Sequence, residues 1–153
     1  MDAVEVWRPS PVRPDRYEVS SLGRIRSNWA GGRVLRPYAH PKSGHLMVKV
    51  VGDSGRQRGH YVHRLVAGAF VDGSGPVVRH LDGDPTNNLP ANLAWGTQAE
   101  NIHDAIRQGT HAGVAKTHCK HGHSLADAYR YGNTRVCRQC QAARTARWKG
   151  KKS

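Results

Sequence analysis

Short alternations of apolar and polar residues, separated by Gly/Pro/Ser turns, fill residues 1–50. Val4-Glu5-Val6-Trp7 is a strand candidate, broken by the Arg8-Pro9-Ser10-Pro11 run. Residues 17–27 (YEVSSLGRIRS) alternate around a Ser-Leu-Gly turn and predict a hairpin. Further strands are expected over residues 34–37 and 46–51, with turns at Gly31-Gly32 and Ser43-Gly44. Residues 55–59 (Gly-Arg-Gln-Arg-Gly) read as a basic loop. The period then changes. Val62, Leu65, Val66, Ala69 and Phe70 fall on one helical face, and residues 71–76 form a connecting loop. A short apolar run ends at His80. An Asp/Gly/Pro/Asn-rich loop, a second short run over residues 92–95 and a helix start follow. Thr97 and Glu100 have capping-box spacing, so Asn101 falls in the first helical turn. Ala99, Ile102, Ala105 and Ile106 are expected to form that helix's apolar face, with Gly109 as its stop.

Hydrophobic residues make up 37% of the 153 and aromatics 7%, which favours small modules over one large core. The net charge of +13 points to a polyanionic partner, nucleic acid first. Its distribution says more: residues 1–50 carry +5, residues 51–113 carry −1 and residues 114–153 carry +9. Basic flanks around a near-neutral middle suit a metal-dependent centre held between two DNA-gripping arms. No apolar run reaches membrane-spanning length and the N-terminus lacks a signal-peptide core, so a soluble, cytoplasmic protein is expected.

All 3 cysteines lie in the last stretch of the chain, which does not suggest a disulfide framework. Cys119, His123, Cys137 and Cys140 form a C-x₃-H and C-x₂-C pair flanking a hairpin at Gly132-Asn133. That spacing can close a tetrahedral Zn²⁺ site. His118 and His121 compete with His123 as fourth ligand. Four protein ligands leave no open position, so this zinc would be structural. The segment QAARTARW that follows favours helix. Arg144, Arg147, Lys149, Lys151 and Lys152 make it basic, as a DNA-backbone contact or a solvated tail.

The order of His80, loop, Asn92, capped helix and Asn101, in the phrases HLDGD-x-x-NN, NLAWGT and AEN, resembles the HNH nucleases of the ββα-metal superfamily. The likeness is to their phage- and intron-associated homing branch. HRLVAGAF is similar to the segment that precedes the nuclease strand in that branch. Trp7 with YEVSSLGRIRS resembles the small DNA-binding module often fused in front of it.

The resemblance implies an α+β fold of three parts: a β-rich DNA-binding module (1–54), a nuclease core (55–112) and a zinc knuckle with a basic helix (113–153). It implies that His80 is the general base, that Asn92 braces its loop and that Asn101 holds Mg²⁺ or Mn²⁺. Asp82, Asp84 and Asp104 are nearby spare oxygens. Arg79 stands where the family often has a second metal ligand. A guanidinium cannot ligate, so Arg79 is expected among the DNA contacts with Arg24, Arg26, Arg144, Arg147 and Lys149. His63 is expected to be structural, Asn87 and Asn88 turn formers, and Trp7, Tyr17 and Ile25 core. The expected activity is hydrolysis of double-stranded DNA inside a phage's bacterial host, by a monomer or a dimer. The alternative is a non-catalytic, zinc-containing DNA-binding regulator derived from a nuclease.

Overall fold

The computed structural model describes residues 4–29, 31–132 and 134–150. Asn133, Lys151 and Lys152 of the sequence reading lie outside them. The chain divides into two compact units, Met1–Gln108 and Gly109–Ser153, and its fold is mixed α+β.

The first unit opens with strands β1 (Trp7–Pro9), β2 (Tyr17–Ser20) and β3 (Ile25–Ser27) in an antiparallel sheet of order β1-β2-β3. The expected strand at residues 4–7 forms later, at Trp7–Pro9, paired Trp7↔Ser20 and Pro9↔Glu18. An edge strand tolerates Pro9 because its missing N–H costs no ladder bond on the open side. The β2–β3 turn places Gly23 at φ +77°, where a Cβ would meet the backbone oxygen of Asn88 at 3.3 Å and its Cβ at 3.1 Å. Only glycine suits both the left-handed conformation and that approach.

Residues 34–37 make only an isolated bridge, Arg26↔Val34, and the next strand is β4 (Tyr38–Ala39). It pairs with β5 (Leu46–Val51), which pairs with β6 (Gln57–Tyr61). The expected basic loop at 55–59 is therefore mostly strand. Its polar residues are exposed, so no apolar alternation announced it, and the ladder to β5 supplies its order.

Helix α1 (Val62–Phe70) buries Val62, Leu65, Val66 and Ala67 against these strands. Strands β7 (Val77–His80) and β8 (Leu93–Gly96) form an antiparallel pair, with a 3₁₀ turn (Pro90–Asn92) before β8. Helix α2 (Gln98–Arg107) follows. One hydrophobic core, including Tyr17, Val19, Ile25, Val48, Val66, Val78 and Leu93, runs through the sequence segments 1–54 and 55–108 alike. Trp7, expected in the core, is only partly buried.

The capping box forms as spaced. Thr97 Oγ1 accepts from Glu100 N–H, and Glu100 Oε2 accepts from Thr97 N–H at 2.7 Å. Thr97→Ala is expected to cost about 1 kcal/mol of stability in urea unfolding. The expected apolar face of α2 is not its buried face. Ile102 and Ile106 are exposed, and Asp104 is the helix's buried residue. The reason is the partner surface, where β7 presents an arginine to this helix.

In the second unit, a short helical turn α3 (Ala112–Ala115) precedes a hairpin of β9 (Tyr129–Tyr131) and β10 (Thr134–Val136). Helix α4 (Arg138–Gly150) begins straight after Cys137, three residues ahead of the expected start at Gln141. Among the described residues no helix is long and apolar enough to cross a membrane.

Candidate active site and metal centre

His80 ends β7 and is buried. Its Nε2 lies 3.2 Å from Asn88 Oδ1. Asn88 donates its own Nδ2–H to the Thr86 carbonyl at 3.1 Å, which orients the amide and leaves Oδ1 as acceptor. His80 Nε2 therefore carries the hydrogen, and the ring's basic lone pair is on Nδ1. Asn88, expected only as a turn former, is 5% exposed and sets this tautomer. The Asn87-Asn88 doublet was the visible signal, but it does not say which of the two turns inward.

Asn92 holds the loop between β7 and β8. Its Oδ1 accepts from Asp82 N–H at 3.0 Å, and its Nδ2 donates to Asp82 Oδ1 at 2.8 Å and to the Asn87 carbonyl at 2.9 Å. Asp82 also accepts from Asp84 N–H and Asn87 Nδ2, and Asp84 accepts from the N–H and hydroxyl of Thr86. The Asp84 N–H, followed by the Asn87 and Asn92 amides, holds the Asp82 carboxyl below its usual range. Both loop carboxylates thus help to shape the loop, Asp82 through both of its oxygens and Asp84 through Oδ1.

Strand alternation sends Arg79 to the opposite face from His80. Arg79 Nη1 donates to Asp104 Oδ2 at 2.6 Å, Arg107 pairs with the other Asp104 oxygen, and Glu100 lies 3.9 Å from Arg79 Nη2. The Arg79 side chain is 15% exposed and that of Asp104 5%. Arg79 is therefore an internal tie between β7 and α2 rather than a surface cation, and Asp104 is its counter-ion. The expected spare oxygen at Asp104 is thereby corrected, since both of its carboxylate oxygens are paired. Asn101 lies half-buried in the first turn of α2, and its side chain makes no hydrogen bond to a described residue.

Two further imidazoles face His80. The His63 ring centroid is 5.0 Å from that of His80, His45 is 5.3 Å from His80, and His45 and His63 are 4.8 Å apart. One ligand nitrogen from each of the three lies within 4.8 Å of the others. Burial, then the neighbouring His45 and His80 rings, pushes the His63 pKa down to about 3, so the ring is neutral at any working pH. Its Nδ1 is buried without a hydrogen-bond partner. Sequence spacing gave no sign of this group, because its members come from β5's approach, α1 and β7.

In the second unit Cys119, His123, Cys137 and Cys140 converge, with their ligand atoms within 4.8 Å of one another. Cys119 Sγ is 3.7 Å from Cys140 Sγ, and His123 Nδ1 is 3.3 Å from Cys140 Sγ and 3.7 Å from Cys137 Sγ. Zn–S bonds of about 2.3 Å at tetrahedral angles require sulfur separations of about 3.8 Å. The donor set fits zinc, with His123 and not His118 or His121 among the sulfurs. The His121 N–H points to Cys119 Sγ at 3.4 Å. A zinc held by these four would tie the unit together, so a chelator, or Cys137→Ser, is expected to unfold this unit and leave the unit ending at Gln108 folded. Amide hydrogen exchange mapped along the chain checks it.

Arg24 and Arg26 project beside Trp7, with Arg26 4.2 Å and Arg24 5.9 Å from the ring centre. Both are paired, Arg24 with Glu5 and Arg26 with Glu18. Arg144, Arg147 and Lys149 are exposed on α4, and Arg144 donates to Gln141 Oε1 at 2.7 Å.

Residues 60–103 match a family model described as HNH endonuclease, and residues 5–51 match the NUMOD4 motif. The chain is 35% identical over 106 residues to the DNA endonuclease I-HmuI of Bacillus phage SP01, across 68% of this chain and 59% of that one. It is 30% identical over 107 residues to an uncharacterized HNH endonuclease, L247, of Acanthamoeba polyphaga mimivirus, across 67% of this chain and 26% of that one. A solved structure described as DNA binding and cleavage by the HNH homing endonuclease I-HmuI superposes with a TM-score of 0.55 and 36% identity. It covers 62% of this chain and 54% of the other. The chain thus spans less than two-thirds of the length of these relatives.

Proposed function

Residues 60–103 belong to the HNH endonuclease family, behind a NUMOD4 motif, and from that premise we propose that the protein is a metal-dependent endonuclease of the homing type that hydrolyses double-stranded DNA. The observation that carries this reading is the His80–Asn88 hydrogen bond, which leaves an imidazole lone pair to take a proton from the attacking water. Asn92 keeps the loop, and with it Asn88, in register. Asn101 offers an amide oxygen that no described residue engages. One protein oxygen suits Mg²⁺ or Mn²⁺, which keep waters and take substrate phosphate as a ligand. Held there, such an ion would supply charge neutralisation at the phosphate and the leaving oxygen. As the P–O bond breaks the departing 3′ oxygen takes a proton from solvent, and His80 gives its proton up to solvent, leaving a 5′-phosphate and a 3′-hydroxyl.

The zinc knuckle is structural and presents α4, whose Arg144, Arg147 and Lys149 contact DNA phosphates. Arg24 and Arg26 reach phosphates by exchanging Glu5 and Glu18 for the backbone. Action follows within a bacterial cell, by a monomer or a dimer. A second reading, a DNA-binding regulator without cleavage, draws on Arg79 and Asp104, which replace a metal ligand beside the base with an ion pair.

Supercoiled plasmid incubated with Mg²⁺ or Mn²⁺ decides between them. Nicked or linear product supports the nuclease. Tight DNA binding without product under either ion supports the regulator and removes the nuclease.

A further inference from the structure

We propose that His45, His63 and His80 form a second transition-metal site in this chain, and that Zn²⁺ bound there switches the nuclease off. The ligand atoms of the three rings already lie within 4.8 Å of one another. Zn–N bonds of about 2.0–2.1 Å bring tetrahedral nitrogens to about 3.4 Å, so binding would draw the three rings closer than they stand. Three imidazoles with an open fourth position suit zinc, copper or nickel and suit Mg²⁺ poorly.

The second, independent observation is His63. Its side chain is enclosed at 6% exposure, yet Nδ1 has no partner. Leaving a buried ring nitrogen unsatisfied is costly, and no described residue of the first unit hydrogen-bonds to it. A metal ion bound through that nitrogen would satisfy it. His45 is half-buried at the start of β5, so an ion can approach from its side. His45 also comes from the segment matched by the NUMOD4 motif and His63 and His80 from the segment matched by the HNH family. The site therefore exists only where both segments are folded on their shared core.

The consequence for activity rests on the reading of His80 as general base. A neutral imidazole has a single basic lone pair, and it serves either an ion or a proton. Zinc on His80 therefore removes the base without displacing the ion at Asn101. The site differs from the Cys119–Cys140 knuckle in donor type and in the unit that holds it.

The test uses the full chain, prepared with the knuckle zinc-loaded, and titrates further Zn²⁺ against a chromophoric chelator. Each protein's plasmid cleavage in Mg²⁺ is compared with its own rate after zinc is added. The wild type is expected to bind a second equivalent, with cleavage falling by up to about 10²–10⁴-fold, the usual share of a general base. His45→Ala and His63→Gln are each expected to lose the second equivalent and most of the zinc sensitivity. His45→Gln, which keeps the side-chain bulk, is expected to do the same. If the wild type stops at one equivalent, or the His45 variants still bind two, the site does not exist. If zinc inhibits wild type and His45 variants equally, it acts by displacing Mg²⁺ and the proposal is overturned. Metal content is read without catalysis, so a chain that binds two equivalents and never cuts DNA upholds the site and sinks only the nuclease reading.

Discussion

His80→Ala is expected to lower plasmid cleavage by about 10²–10⁴-fold while leaving affinity for duplex DNA, compared at one salt concentration, nearly unchanged. The ring has one chemical role and one structural one. Its Nε2–H is held by Asn88, and the remaining lone pair has no function in folding. On the proposed mechanism alanine removes the proton acceptor and would leave the share of catalysis that a metal at Asn101 would supply, so a residual rate above background is expected. The ring is buried, so unfolding of the variant must be followed alongside cleavage. His80→Gln, which retains a polar side chain of similar reach, supplies the companion case. A variant that folds, binds DNA and cuts at the wild-type rate would remove His80 from the mechanism. Asn88→Ala should give a smaller loss, because the ring then samples both tautomers. A change in the pH profile would mark Asn88 as a positioning residue.

Asp104→Asn is expected to have the largest effect on stability, about 1.5–3 kcal/mol in urea unfolding. Arg79 is enclosed between β7 and α2, with its Nε buried and without a hydrogen-bond partner, and Asp104 is the carboxylate that it and Arg107 share. Removing the negative charge leaves a largely enclosed guanidinium with Glu100, 3.9 Å from its Nη2, as the remaining carboxylate, which costs more than losing an exposed pair. Arg79→Met combined with Asp104→Leu should recover most of the loss, since apolar packing replaces both charges together.

The pH dependence has a definite sign. Burial pushes the Asp104 carboxyl up, but the hydrogen bonds from Arg79 and Arg107 outweigh it and hold the group below its usual range. The unfolded chain therefore binds this proton first as pH falls. The stabilisation is complete above the ordinary carboxylate range and is lost as pH drops through the folded value. In the Asn variant that acid-side loss should flatten. An equally steep acid transition in both proteins would place the linkage elsewhere.

Where neighbours along the chain decide the structure, the sequence was readable. β5 lies where its alternation placed it, at Leu46–Val51, and the YEVSSLGRIRS hairpin folds back at its Ser-Leu-Gly turn. Thr97 and Glu100 satisfy each other within one helical turn. The paired cysteine spacing brought three sulfurs and His123 together across a short hairpin. β6 escaped because an edge strand with an exposed face has no apolar period to detect, and its order comes from hydrogen bonds to β5.

The α2 error has a sharper cause. Ile102 and Ile106 do share a helical face, but which face turns inward was set by Arg79 on β7, and an arginine across the seam selects Asp104. The same limit hid Asn88 and the three facing imidazoles. The sequence determined the elements, the capped helix, the cysteine pairing and the family signature, because each is written in residues a few positions apart. Only the tertiary structure decided that Asn88 turns inward to His80, that Arg79 is an internal ion, and that His45 and His63 face the candidate base. Those contacts join distant segments, and their energies exist only once the shared core has packed the sheets, α1 and the β7–β8 pair together.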